Sequence, residues 1–204
     1  KKPIHVISNG VDDSYLQNLS FSVRFFKPNE PLRIIWNSRL SKEKRILPFL
    51  QSVANSKYND KIDLTIIGDG NQMQEAKNFA KSHLQSSQIK FLGIVPHEQI
   101  FNFMQNQHIS VINSYGFDTQ GMTILEAVAC GLPILYADPA MDEVVPEHGG
   151  LRSPNDSVAA MTDTIDQLFA HPALIEEMSK NVIKAKDSVL QSTQINKLLE
   201  LYLK

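Results

Sequence analysis

A chain of 204 residues with 42% hydrophobic and 21% charged side chains has the make-up of an ordinary globular protein of one α/β domain, neither disordered nor fibrous. Its net charge is −2 and its lysines and arginines are scattered, which excludes a nucleic-acid footprint or a polybasic membrane patch. The lone cysteine, Cys130, rules out a disulfide framework and fits a reducing compartment, and no apolar run approaches the roughly 20 residues that span a bilayer.

The chain opens on Lys1-Lys2-Pro3, with neither an initiator Met nor a signal peptide, in the manner of an excised fragment. Residues 1–31 read as a segment between domains: His5–Ile7 is a short predicted strand, Asn9-Gly10 a turn, and Pro28 and Pro31 bracket a polar stretch. From Leu32 the pattern changes. Apolar β-type runs at Leu32–Trp36, Ile62–Gly68, Ile89–Leu92, Ile109–Asn113 and Leu132–Ala137 alternate with helical periodicity at Ile46–Ser56, Met73–Leu84, Gln99–Gln105 and Met122–Cys130. Further helices are expected at Asp156–Ala170, Ala173–Ala185 and Ser188–Leu203. Strands that are apolar throughout and separated by helices predict a doubly wound parallel sheet, Rossmann-like, over residues 32–187, with 188–204 as a C-terminal helix.

Such a sheet binds ligands at the carboxyl ends of its strands. After the first strand, Arg39 and Lys44 stand in a strand-to-helix loop where two cations suit a diphosphate; solvated surface charges are the alternative reading. After the second, Gly68-Asp69-Gly70 suggests a dinucleotide fingerprint. Met73 occupies the third glycine position and Gln88-Ile89-Lys90 the place of the ribose-binding acid, so a tight turn is the better reading. The loop Asn113 to Pro133 is richer. Thr119 is a predicted N-cap for a helix from Gln120 to Cys130, with Gly131 as its C-terminal glycine. Gly121 lets a ligand approach the amides of Gly121, Met122 and Thr123, where the helix dipole favours an anion. Asp118 and Glu126 flank that end, about 10 to 12 Å apart if the stretch is mostly helical, so that one acid can reach a ribose and the other a sugar with a diphosphate between them. Helix capping for Asp118 and an exposed position for Glu126 are the plainer alternatives. Glu126, however, lies among Ile124, Leu125, Ala127 and Val128, where an unpaired carboxylate is costly.

Asp118-x7-Glu126 followed by Ala127-Val128-Ala129-Cys130-Gly131-Leu132-Pro133-Ile134 resembles the signature of retaining GT-B-fold glycosyltransferases of group 1, family 4. Asn9-Gly10-Val11-Asp12, Ser38-Arg39-Leu40 through Lys44, Ile66 to Gly70, and Phe91-Leu92-Gly93 with Val95 resemble other family elements, in the same order and over nearly the whole chain. Asp118 stands where the family usually has Glu, and Pro139-Ala140 stand where many members have Gly-Gly ahead of an acid near Glu143.

The resemblance implies a C-terminal, donor-binding half that takes a nucleoside-diphosphate sugar, most readily a UDP-sugar, and passes its sugar with retention to a glycan or glycolipid. Thr119-Gln120-Gly121 is similar to members with lipid acceptors. Arg39 and Lys44, with the amides of Gly121, Met122 and Thr123, are implied to hold the diphosphate. Glu126 takes the ribose, Asp118 the sugar hydroxyls, and the backbone at Gly93 to Val95 the base. No cofactor or metal is implied, since cations and a helix end stabilise the departing nucleoside diphosphate. An N-terminal acceptor domain is expected to lie outside this chain, so the chain alone is expected to be inactive. A cytoplasmic setting is expected, any membrane association being carried by the missing domain.

Other residues add little to this reading. His5, His83, His97, His108, His148 and His171 lack metal-ligand spacing and read as scattered surface or loop histidines. Cys130 reads as a buried small hydrophobe. The stripe Val189, Ile195, Leu198, Leu199 and Tyr202 reads as core covering the sheet or the missing domain, with a membrane face as the alternative. Competing functions are a sugar-nucleotide epimerase, which the two acids with Arg39 and Lys44 disfavour, and a non-catalytic nucleotide-binding module. A dinucleotide oxidoreductase is disfavoured by Met73.

Overall fold

A computed structural model describes residues 4–84 and 88–203. Lys1-Lys2-Pro3, the start of the expected connecting segment, lie outside the described residues. Strands β1 (Leu32–Asn37), β2 (Ile62–Ile67), β3 (Ile89–Gly93), β4 (Ile109–Ile112), β5 (Ile134–Tyr136) and β6 (Gly150–Arg152) form one parallel sheet in the order β3-β2-β1-β4-β5-β6. The two central strands explain why the apolar runs are continuous: five of the six residues of β1 and all four of β4 are buried, because helices cover both faces. Strand alternation sends Ile34 and Trp36 into one core layer with Phe49, Ile165 and Leu168, and Ile35 into the other with Phe101, Leu125 and Val128. The doubly wound sheet is thus as expected, with one strand more. Gly150-Leu151-Arg152 is too short and too polar to announce itself, and is a strand only because β5 pairs with it.

The helices are α1 (Ile46–Asn55), α2 (Met73–His83), α3 (His97–Gln105), α4 (Met122–Ala129), α5 (Val158–Ala170), α6 (Ala173–Ala185) and α7 (Gln191–Tyr202). The expected start of α5 at Asp156 moves to Val158, since Ser157 caps it by accepting the Ala160 amide at 3.1 Å. Residues Lys186–Val189 form a 3-10 turn rather than the first turn of the last helix.

Near the N-terminus the expected strand at His5–Ile7 does not form, with Ile4 92% and Val6 90% exposed: among the described residues no strand pairs with it. Instead Val11 forms a parallel bridge with Leu190, and Asp13 accepts the amide and hydroxyl of Ser192 at 3.0 and 2.6 Å. Of the C-terminal stripe only Val189 is buried. Ile195, Leu198, Leu199 and Tyr202 are exposed, so the stripe does not cover this sheet. Among the described residues no helix is long and apolar enough to cross a membrane.

Candidate functional site

The strand order reverses between β1 and β4, and a cavity of about 390 Å³ opens there beyond their carboxyl ends. Its wall is made by Ser38 and Lys44 after β1, by Asn113 to Ser114 and Phe117 to Gln120 after β4, and by Gly121, Met122 and Thr123 at the start of α4.

The N-terminus of α4 differs from expectation in a way that serves the cavity. Thr119 is not the cap. Gly121 takes that position in the left-handed conformation (φ 62°, ψ 75°), and the helix begins at Met122. A residue with a Cβ is strained there, so glycine is required by the turn rather than merely tolerated in a helix. The first amides of a helix have no intrahelical acceptor, and these line the cavity wall. Thr123 fixes them by donating its hydroxyl to the Asn37 carbonyl at 2.9 Å, which ties α4 to the end of β1. At the other end Gly131 closes the helix as expected, the amides of Gly131 and Leu132 each reaching carbonyls of the last turn at 2.9 Å.

Lys44 and Asp118 meet inside the cavity. The Lys44 ammonium is paired with one oxygen of Asp118, the other oxygen accepts from the Ser114 hydroxyl, and the side chains are only 19% and 15% exposed. The ammonium also lies 4.9 Å from the centre of the Phe117 ring. An ammonium has three donors, so Lys44 can keep Asp118 and still face an anion placed on the α4 amides. Arg39 does not join it. Its side chain is 70% exposed, lies 3.8 Å from Glu43, and takes no part in the cavity wall, so the expectation that both cations point into the site is met by Lys44 alone. The cause is local: Lys42–Lys44 form a 3-10 turn between Ser41 and Arg45, with Lys44 turned inward and Arg39 ahead of it and outside.

Glu126 is 6% exposed, and therefore not the exposed helix residue of the plainer reading. Its Oε2 accepts from the Asn37 side-chain amide at 2.7 Å, and its Oε1 from His97 Nε2 at 2.7 Å. Burial pushes its carboxyl above the usual range, and the bonds from His97 and Asn37 work against that rise. His97 follows the proposed base loop by two residues past Val95. There Gly93 has φ 71° with open space around a would-be Cβ, and Val95 is half-buried against the second core layer.

The reading of the six histidines as scattered surface or loop residues is corrected at His108, which is buried against Arg33, with its pKa lowered to about 4 by desolvation and that cation; His97 is exposed as expected but bonds Glu126. Sequence reasoning also passed over Asn37, whose signal was a polar residue ending an apolar strand, and Ser114. Gly68 and Gly70 are structural as expected. A Cβ there would lie 2.1 Å from the Ser38 carbonyl and 2.3 Å from that of Leu40, so the two strand-to-helix loops pack backbone against backbone. Cys130 is fully buried, and burial pushes its thiol up to about 12.

A parallel α/β sheet with its crevice at this switch point matches the C-terminal half of GT-B structures. The fold superimposes on Anabaena Alr3699/HepE in complex with UDP-glucose with a TM-score of 0.77 at 19% identity, covering 98% of this chain and 57% of that one. With the catalytic domain of cholesterol-alpha-glucosyltransferase from Helicobacter pylori the TM-score is 0.66 at 20% identity, over 78% of this chain and 98% of the other. The family model described as glycosyl transferases group 1 matches residues 20–185, and the chain belongs to that family. Among curated relatives, the alpha-monoglucosyldiacylglycerol synthase of Acholeplasma laidlawii is 28% identical over 163 residues, 75% of this chain and 38% of its own length. That of Streptococcus pneumoniae is 29% identical over 111 residues, 53% of this chain and 25% of its own. The chain therefore spans well under half the length of these relatives.

Proposed function

We propose that this chain is the donor-binding domain of a retaining glycosyltransferase that transfers the sugar of a UDP-sugar to a glycan or glycolipid acceptor. The observation that carries the reading is the cavity at the β1/β4 switch point, which joins free helix amides, Lys44 and Asp118 in one wall. A diphosphate laid on the α4 amides meets Lys44, and both stabilise the negative charge that grows on the leaving group as the glycosidic bond breaks. Glu126 lies farther along α4 toward the Gly93 to Val95 loop, the order a ribose and base require. Asp118, released in part from Lys44 by the phosphate, takes a hydroxyl of the sugar. Solved relatives that carry UDP or UDP-glucose support the donor, and the diacylglycerol-type relatives support a lipid acceptor. Catalysis requires the acceptor held in reacting geometry as well, so turnover belongs to a protein that also carries an acceptor-binding part.

The test is a thermal-shift and calorimetric panel of UDP-, GDP- and ADP-sugars in the presence of a chelator. UDP at 100 times its dissociation constant should stabilise the chain by about 2.7 kcal/mol without added metal. No shift with any nucleoside diphosphate at millimolar concentration would reject the reading.

A further inference from the structure

The Glu126 carboxylate presents a geometry that its own helix does not explain. A buried carboxylate is stable only when its oxygens are paired, and among the described residues neither of its partners is a lysine or arginine. Instead each oxygen has one donor, Asn37 on Oε2 and His97 on Oε1, both at 2.7 Å. A carboxylate oxygen has two lone-pair sites, so one on each oxygen stays open, and the two donors fix the plane in which these lie. Two adjacent acceptors of fixed orientation suit two adjacent hydroxyls.

Asn37 is held by the sheet, being the last residue of β1, buried and in register with Ile67. His97 is different. It is the first residue of α3, and its side chain is half exposed. Its ring is held by aromatic contacts: Tyr15, from the 3-10 turn Asp13–Leu16, meets it edge-on at 5.1 Å, and Phe101 lies 5.6 Å away on the next turn of α3. Between these rings Nε2 points at Glu126, 2.7 Å from Oε1. Facing a carboxylate, Nε2 carries the proton.

We infer that His97 is a positioning residue for nucleotide recognition: wedged between Tyr15 and Phe101, it holds the Glu126 carboxylate in the plane that accepts both hydroxyls of the donor's ribose, and so makes the site select ribonucleotides over 2′-deoxyribonucleotides. The inference rests on the assignment of Glu126 to the ribose made above. His97 itself touches no substrate in this scheme.

The experiment titrates UDP and 2′-deoxy-UDP calorimetrically against the unaltered chain, Glu126→Ala, His97→Phe and His97→Gln. The unaltered chain should prefer UDP by about tenfold or more, the value of one hydrogen bond to a charged group. In Glu126→Ala the preference should collapse toward unity. His97→Phe keeps the ring packing with Tyr15 and Phe101 but lacks the N–H, and should lose most of the preference while holding 2′-deoxy-UDP affinity within about twofold. His97→Gln restores a donor and should restore the preference. A His97→Phe variant that weakens both ligands by the same factor, or neither, overturns the role of His97, as does failure of His97→Gln to recover selectivity. Should His97→Phe fail to fold, His97→Leu, which likewise lacks a donor, takes its place with the same expected loss. A preference that persists in Glu126→Ala overturns the ribose assignment itself, and this inference with it.

Discussion

The two acids at either end of the α4 approach are held in opposite ways. Asp118 sits in the cavity wall against a lysine, in an ion pair that a ligand can enter and rearrange. Glu126 lies behind that wall in nearly dry surroundings, held by an amide and an imidazole that fix its plane without a lysine or arginine. On the proposed reading, the first arrangement suits different sugars, because the acid can exchange partners. The second discriminates, because a buried acceptor left without its hydroxyl is penalised more than an exposed one. On that reading one end of the cleft serves adaptability and the other selection.

The sharpest way to break this contrast is substitution of each acid in turn. Glu126→Ala should weaken UDP and UDP-sugar alike, by tenfold to about a hundredfold, since both carry the ribose. Asp118→Asn should leave UDP nearly unchanged while weakening the intact sugar donor by about tenfold. Equal losses for both ligands in calorimetric titrations of Asp118→Asn would remove Asp118 from the sugar site.

The two cations sharpen it next. Lys44→Ala should cost UDP about tenfold in affinity, whereas Arg39→Ala should change it by less than about threefold, as expected for a charge paired only at the surface. A larger loss for Arg39→Ala would mean that the arginine swings into the site when the ligand binds.

The smallest effect concerns stability. Because burial raises the Glu126 pKa in the folded chain, folding favours its protonated form. The stability this provides is present at low pH and is lost as pH rises through the folded value. Glu126→Gln should therefore raise unfolding stability at neutral pH by about 1 kcal/mol, in the manner of functional groups replaced by neutral ones. The gain should shrink as pH falls through that value, and urea unfolding at several pH values measures it. A variant that is less stable at every pH would show Glu126 to be a structural ion-pair partner.

The parts of the fold legible in the sequence were those that repeat. Continuous apolar runs announced β1 and β4 because both faces are covered, and Gly131 announced the end of α4 because few other residues take that turn. What failed were features set by distant neighbours. β6 exists through its pairing with β5, and among the described residues His5–Ile7 has no strand to pair with. Thr119 has the right chemistry for a cap, but the chain turns at Gly121 instead. Lys44, Asp118 and the start of α4, which line one cavity, were singled out by local motif. His97 was missed because its partner is 29 residues away in sequence, and no spacing rule links an imidazole at one helix start to an acid within another.

The backbone contact of Ser38 and Leu40 against Gly68 and Gly70 bears on how such a site can vary among descendants. With no side chain between them, neither loop can gain or lose a residue without separating from the other, so their lengths are locked as a pair. The segment from Asn113 to Gly121 borders the same cavity and is held instead through side chains, Asn113 donating to the Arg45 carbonyl and the Gly116 amide to Asp138. On the proposed reading, insertions and deletions that retune the choice of sugar should therefore accumulate in that segment, while the loop carrying Lys44 keeps its length through lineages that have changed nearly everything else.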